Sequence, residues 1–136
     1  MNFRHLTQIR VRYSETDQMG YCYYGNYAQY LEVGRVETLR ELGMSYKQLE
    51  EDGFMLPVSE LEINYKSPAF YDDLLSVETI ITEVKGARIR FDYIVRNEKN
   101  RVIIEAKTVL VFVSKSTMRP VAPPSNFTQL IHLTEE

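Results

Sequence analysis

A single cysteine, Cys22, occurs among the 136 residues. It excludes an internal disulfide and points to a reducing compartment. No apolar run approaches the roughly 18 residues needed to span a bilayer. The opening stretch MNFRHLTQIRVRY alternates and carries charge where a secretory leader would be uniformly apolar. The expectation is a cytoplasmic protein without membrane association. Neither sign of charge dominates: the net charge of −3 is spread over both halves, with no basic run to grip nucleic-acid phosphates. Histidine is scarce, and neither His5 nor His132 lies in a motif with Cys22 or an acidic cluster, so no metal site is expected. Repeats, low-complexity tracts and linkers are missing too, and the length suits one domain over residues 1–136.

What is present is mostly amphipathic strand and helix. Thr7 to Tyr13 reads as a strand with Ile9, Val11 and Tyr13 on one face. From Asn26 the period becomes helical: Tyr27, Leu31, Gly34, Thr38 and Leu42 recur at three-to-four-residue spacing, and Gly43 is a natural stop. Gly34 in mid-helix costs about 1 kcal/mol against alanine, a cost that close packing against a sheet explains. Ser45 with Gln48 fits a capping box for a short second helix that closes at Asp52-Gly53. Four strands follow, over 55–66 (interrupted by Pro57), 74–84, 88–96 and 101–113, and then a proline-rich stretch and a short polar-ended tail. Consecutive hairpins demand an antiparallel sheet. One long helix can cover one of its faces, giving a two-layer α+β domain. The strand over 55–66 carries few edge-blunting charges, so it is the edge expected to pair with a second subunit.

One stretch departs from this regularity. Residues 13–30, YSETDQMGYCYYGNYAQY, hold six of the ten tyrosines, with Asp17, Gly20 and Gly25 on an irregular segment that feeds the helix. A carboxylate facing the free N–H groups of a helix start suits acyl chemistry: the acid can attack a carbonyl or deprotonate a water, and the N–H groups can stabilise an oxyanion. The competing role for Asp17 is a turn residue that accepts the backbone N–H two residues on.

The run YSETDQMG (13–20), then Tyr24-Gly25-Asn26-Tyr27, with Glu32 and Arg35 on the helix, resembles the hotdog-fold acyl-CoA thioesterases of the 4-hydroxybenzoyl-CoA thioesterase type. SPAFYDDLL (67–75) is similar to that family's turn between its second and third strands, and Lys85-Gly86-Ala87-Arg88 to its next hairpin. The resemblance spans about residues 5 to 120. It implies an antiparallel five-stranded sheet wrapped around one long helix. It also implies a homodimer or homotetramer joined through the strand after the helices, with active sites at the subunit interface. The activity it implies is hydrolysis of an acyl-CoA thioester to free acid and CoA, with no cofactor. The family's catalytic aspartate falls on Asp17, as nucleophile or general base, and its carbonyl-polarising backbone N–H falls on Tyr24.

Around that pair, Tyr21 and Tyr23 are candidate walls of an acyl pocket, and Gly25 would let the backbone approach a substrate closely. Tyr27 and Tyr30 read as core with hydroxyls at a polar edge. Cys22 reads as a small buried hydrophobe rather than a nucleophile. Glu32 and Arg35, three apart on a helix, suit a structural ion pair. For CoA phosphates the candidate cations are Lys66, Lys85 and Arg88, with Lys115 and Arg119 behind them. Two other readings stay open: a non-catalytic acyl-CoA or acyl-carrier-protein binding module, and an acyl-carrier-protein thioesterase. A hotdog dehydratase is disfavoured because no histidine sits near the motif.

Overall fold

The computed structural model describes residues 3–133, with side chains up to residue 131. The end of the polar tail and the His132 side chain lie outside the described residues. The chain runs β1 (Phe3–Arg10), α1 (Tyr27–Leu42), α2 (Tyr46–Glu51), β2 (Phe54–Met55), β3 (Val58–Tyr65), β4 (Leu74–Lys85), β5 (Arg88–Arg96), β6 (Val102–Val111), β7 (Val113–Ser114) and α3 (Ser125–Leu133). Five strands make one antiparallel sheet in the order β1-β4-β5-β6-β3. The alternation seen in the sequence decides its faces. Leu75, Val77, Thr79 and Ile81 of β4 are buried with Ile89, Phe91, Tyr93 and Val95 of β5 and Ile104, Ala106, Thr108 and Leu110 of β6. Register shifts in the β3–β6, β4–β5 and β5–β6 ladders bend the strands, and α1 packs against β1 and β4. This is the hotdog arrangement that the resemblance implied.

Gly34 explains how closely the helix approaches. A Cβ built there would sit 2.6 Å from Thr79 Oγ1 and 2.8 Å from Val77 Cγ1, so no side chain fits between α1 and β4. Two effects oppose each other in Gly34→Ala. Helix propensity gains about 1 kcal/mol, whereas overpacking a rigid sheet face costs about 1–3 kcal/mol. The contact is with β-branched residues on a central strand, so overpacking should win, and we expect thermal denaturation of Gly34→Ala to show a Tm lower by about 3–6 °C.

Several boundaries differ from the sequence reading. Tyr13 does not share a strand face with Ile9. The strand ends at Arg10, and Tyr13 begins a 3-10 turn (Tyr13–Glu15) with its ring exposed and edge-on to Tyr71. Pro57 divides the expected 55–66 strand, so β2 pairs with β7 while β3 joins the main sheet through β6. The expected 101–113 strand breaks at Phe112, whose N–H turns to the Ala87 carbonyl. Ser45 Oγ does accept the Gln48 N–H, but the Gln48 side chain bonds Asp52 and leaves the box half made. Helix α3 was not expected. Its Phe127 is buried against Phe112, with Ile131 beside it in the core, and the Pro124 carbonyl caps its start by accepting the Phe127 and Thr128 N–H groups.

Candidate active site

At the end of β1 the chain enters the tyrosine-rich segment, which is stitched to residues 69–73. The Val11 N–H bonds the Asp73 carbonyl, the Asp72 N–H bonds the Val11 carbonyl, and the Cys22 N–H bonds the Ala69 carbonyl at 2.7 Å. The two stretches that carried the family resemblance therefore lie side by side.

Asp17 heads a tight turn. Its carbonyl accepts the Gly20 N–H at 2.9 Å and its N–H bonds the Tyr21 carbonyl at 3.0 Å. Gly20 completes the turn at φ 86°, a conformation that glycine adopts without strain. Oδ1 accepts the Met19 N–H at 2.9 Å, which is the turn-capping role. Oδ2 has no hydrogen-bond partner among the described residues. One oxygen fixes the carboxylate and the other is available.

Tyr24 begins a second 3-10 turn (Tyr24–Asn26) that leads directly into α1. The helix expected from Asn26 does begin there, with Asn26 as the N-cap of α1, and the 3-10 turn precedes it. The Tyr23 N–H is taken by the Glu15 carbonyl and the Asn26 N–H by the Tyr23 carbonyl, whereas the Tyr24 N–H finds no acceptor among the described residues. That is the orphan donor expected at a helix start. Tyr24 itself is 62% exposed.

Asp17 and Tyr24 line one pocket of about 340 Å³, together with Met19, Tyr21, Cys22, Tyr27, Tyr65, Lys66, Ser67 and Pro68. Tyr21 is thus a pocket wall, and its hydroxyl reaches Met19 Sδ at 3.0 Å. Tyr23 is not among the lining residues. Its ring packs on Tyr24 at 4.7 Å and covers Gly25, where a Cβ would meet Tyr23 Cε2 at 2.7 Å. Gly25 therefore makes room for its own neighbour's ring. Cys22 is 2% exposed, and burial pushes its thiol up from the ordinary range, so it stays protonated and unreactive at neutral pH.

The cations divide into two groups. Lys66 lines the pocket, with Glu105 at 3.8 Å. Lys85 and Arg88 face each other across the β4–β5 turn, at the far end of the sheet from Leu74 and the pocket. At about 3.3 Å per residue the eleven steps from Leu74 to Lys85 span roughly 36 Å of strand within one chain. Arg88 is moreover paired with Glu60 at 2.7 Å. The structure does not bring these two to the pocket of their own chain.

With this geometry in view, comparison with known proteins is informative. The family model described as the thioesterase-like superfamily matches residues 11–131. The chain belongs to the thioesterase-like superfamily. Its relatives include the acyl-CoA thioesterase YbgC of Haemophilus influenzae, 38% identical with 91% of each chain covered. They also include the chloroplastic acyl-acyl carrier protein thioesterase ATL3 of Arabidopsis thaliana, 31% identical over 97% of this chain and 70% of that one. Among solved structures, the DHNA-CoA thioesterase of Staphylococcus aureus superposes with a TM-score of 0.92 at 31% identity, covering 97% of this chain and 91% of that one. The family, the hotdog fold and the hydrolase class expected from the sequence are those of this chain.

In this thioesterase-like chain three features escaped the sequence reading. Tyr65, at the end of β3, is edge-on to both Tyr24 and Tyr27, and its hydroxyl donates to the Tyr24 carbonyl at 3.4 Å. Only tertiary structure brings it there. Arg35 does not pair with Glu32. Its Nε donates to the Tyr46 hydroxyl at 3.2 Å inside the core beside Tyr93, while Glu32 is exposed. Spacing along the helix allowed the ion pair, but Arg35 faces inward from α1. Glu15, which in the sequence is only one more acid inside the YSETDQMG run, is 7% exposed and its carboxylate accepts four hydrogen bonds. Burial works against its charge, yet hydrogen bonds from the Arg12 backbone, the Tyr30 hydroxyl and the Arg12 side chain outweigh it and hold the carboxyl below its ordinary value.

Proposed function

We propose that this protein hydrolyses an acyl-CoA thioester to the free acid and CoA, with Asp17 as the reacting carboxylate and the Tyr24 N–H as the carbonyl-polarising donor. The observation that carries the reading is that Asp17, with a half-committed carboxylate, and Tyr24, with an unpaired helix-start N–H, line one tyrosine-rich pocket. Two routes are open to Asp17. Oδ2 attacks the carbonyl carbon, the C–S bond breaks to release thiolate, and water then hydrolyses the mixed anhydride. Alternatively, Oδ2 takes a proton from a water that attacks the carbonyl, and the proton passes to the leaving sulfur. In both routes negative charge builds on the carbonyl oxygen, where one backbone donor contributes about 3 kcal/mol.

The acyl group is held by Tyr21, Tyr27, Tyr65 and Met19, which suit an aryl group by edge contact and an aliphatic chain by burial. Lys66, the cation that lines this pocket, is assigned to a phosphate of the carrier. A homodimer or homotetramer fits the β3 edge. Val58, Leu61 and Tyr65 are exposed along it, and Tyr65 and Lys66 at its end line the pocket, so a subunit joined there would wall the site. In that assembly Lys85 and Arg88 serve a site of the other subunit.

The experiment is a panel of aryl and aliphatic acyl esters of CoA and of acyl-carrier protein, scored for thiol release and for binding. Turnover on CoA esters with a clear acyl preference supports the reading. Turnover confined to carrier-protein esters moves the substrate to that carrier, as ATL3 exemplifies by name. Binding without thiol release would make the protein a binding module and end the catalytic account.

A further inference from the structure

We propose that Glu15 is the positioning residue of this site, holding the Asp17 turn and the Tyr24 N–H in register from a buried location that substrate does not reach; this rests on the function proposed above. The carboxylate joins two elements. Oε1 accepts the Arg12 N–H at 2.9 Å and the Tyr30 hydroxyl of α1 at 2.8 Å. Oε2 accepts Arg12 Nη2 at 3.0 Å and Nε at 3.2 Å. The Glu15 carbonyl accepts the Tyr23 N–H at 2.8 Å and Asn26 Nδ2 at 2.7 Å. Tyr23 and Asn26 bracket Tyr24, and Glu15 stands two residues before Asp17. The side chain thus fixes where the segment leaves β1 and meets α1, while its backbone fixes the turn that presents the donor.

Glu15 does not line the candidate pocket with Asp17 and Tyr24, so it acts only through these bonds. In Glu15→Gln the amide N–H₂ must replace Oε2 against the Arg12 guanidinium or Oε1 against the Arg12 N–H, so at least one accepted bond becomes a clash of donors. The segment then loses its common anchor. A misplacement of the order of 1 Å between reacting groups costs about 100-fold in rate. Of the acyl walls, Tyr27 and Tyr65 belong to α1 and β3 and stay in place while Met19 and Tyr21 lie on the loosened turn, so ground-state binding should change much less than the rate.

The test compares the wild type, Glu15→Gln and the milder Tyr30→Phe, which removes one hydroxyl and keeps the ring. It combines steady-state kinetics with amide hydrogen exchange. For Glu15→Gln we expect kcat to fall about 100-fold with little change in KM, and exchange to accelerate at Asp17, Gly20, Tyr23 and Asn26 while β4 and β5 stay protected. Tyr30→Phe should move the same quantities in the same direction but less. The Glu15→Gln/Arg12→Met double variant, in which the amide no longer faces a cation, should recover part of kcat. A loss confined to KM, or a kcat loss without faster exchange in the segment, would overturn the assignment, as would wild-type behaviour. Should Glu15→Gln fail to fold, Tyr30→Phe decides on the same criteria. The exchange readout needs no turnover: loosening of the segment in a protein with no thioesterase activity would sink the proposed function and leave the anchor standing, whereas unchanged exchange in an active thioesterase would sink the anchor and leave the proposed function standing.

Discussion

Asp17→Asn should lower kcat by about 10²–10⁴-fold while leaving the fold almost untouched. The separation of these two effects follows from how the carboxylate is held. Oδ1 is bound to the Met19 N–H, and an asparagine carbonyl can accept the same bond at the same distance. The turn through Gly20 rests on backbone bonds that the substitution does not touch. Thermal unfolding should therefore move by no more than about 2 °C, as for a neutral surface change. What is lost is the chemistry of Oδ2, since a carboxamide neither attacks a thioester nor takes a proton from water. If Asp17 were only a turn residue, the asparagine variant would turn over like the wild type.

The second large effect concerns a backbone atom and needs an unusual substitution. Tyr24→Pro deletes one N–H. That N–H has no acceptor among the described residues, so its loss costs the fold no hydrogen bond. Proline is at home in the first position of a helical turn. The preceding residue, Tyr23, already has φ −63° and ψ 132°, the extended region that a following proline requires. Tyr24→Ala is the control, because it removes the ring and keeps the donor. The expected result is a kcat lower by about 10²–10³-fold for the proline variant and a much smaller change for the alanine variant. Equal losses in both would transfer the role from the N–H to the side chain.

Much of this molecule was legible in the sequence because it is written in short-range pattern. Strands β4, β5 and β6 alternate, Gly34 marks the contact between α1 and β4, and the motif around Asp17 sits where β1 gives way to the helix. Misreadings occurred where tertiary contacts override pattern. The Glu32 and Arg35 spacing fits a structural ion pair, yet the orientation of α1 turns Arg35 toward Tyr46. Helix α3 was hidden behind its prolines, although Phe127 and Ile131, four apart and both buried, are its signature. Tyr65 and Lys66 reach the pocket only because β3 lies at the edge beside β6, a neighbour that sequence order does not reveal. Lys85 and Arg88 resemble the family's hairpin in sequence, but where that hairpin sits relative to the pocket is a property of the sheet. Glu15 gave no signal beyond being a second acid, because its importance lies in what it accepts.

In the proposed mechanism a thioester carbonyl rests on the Tyr24 N–H beside Asp17. Asp17→Asn protein holding a bound thioester labelled at its carbonyl carbon allows the most direct measurement, the infrared carbonyl stretch. The frequency should be lowered by the backbone donor in Asp17→Asn and restored upward in Asp17→Asn/Tyr24→Pro with the substrate still bound. An identical frequency in the two proteins would contradict that mechanism.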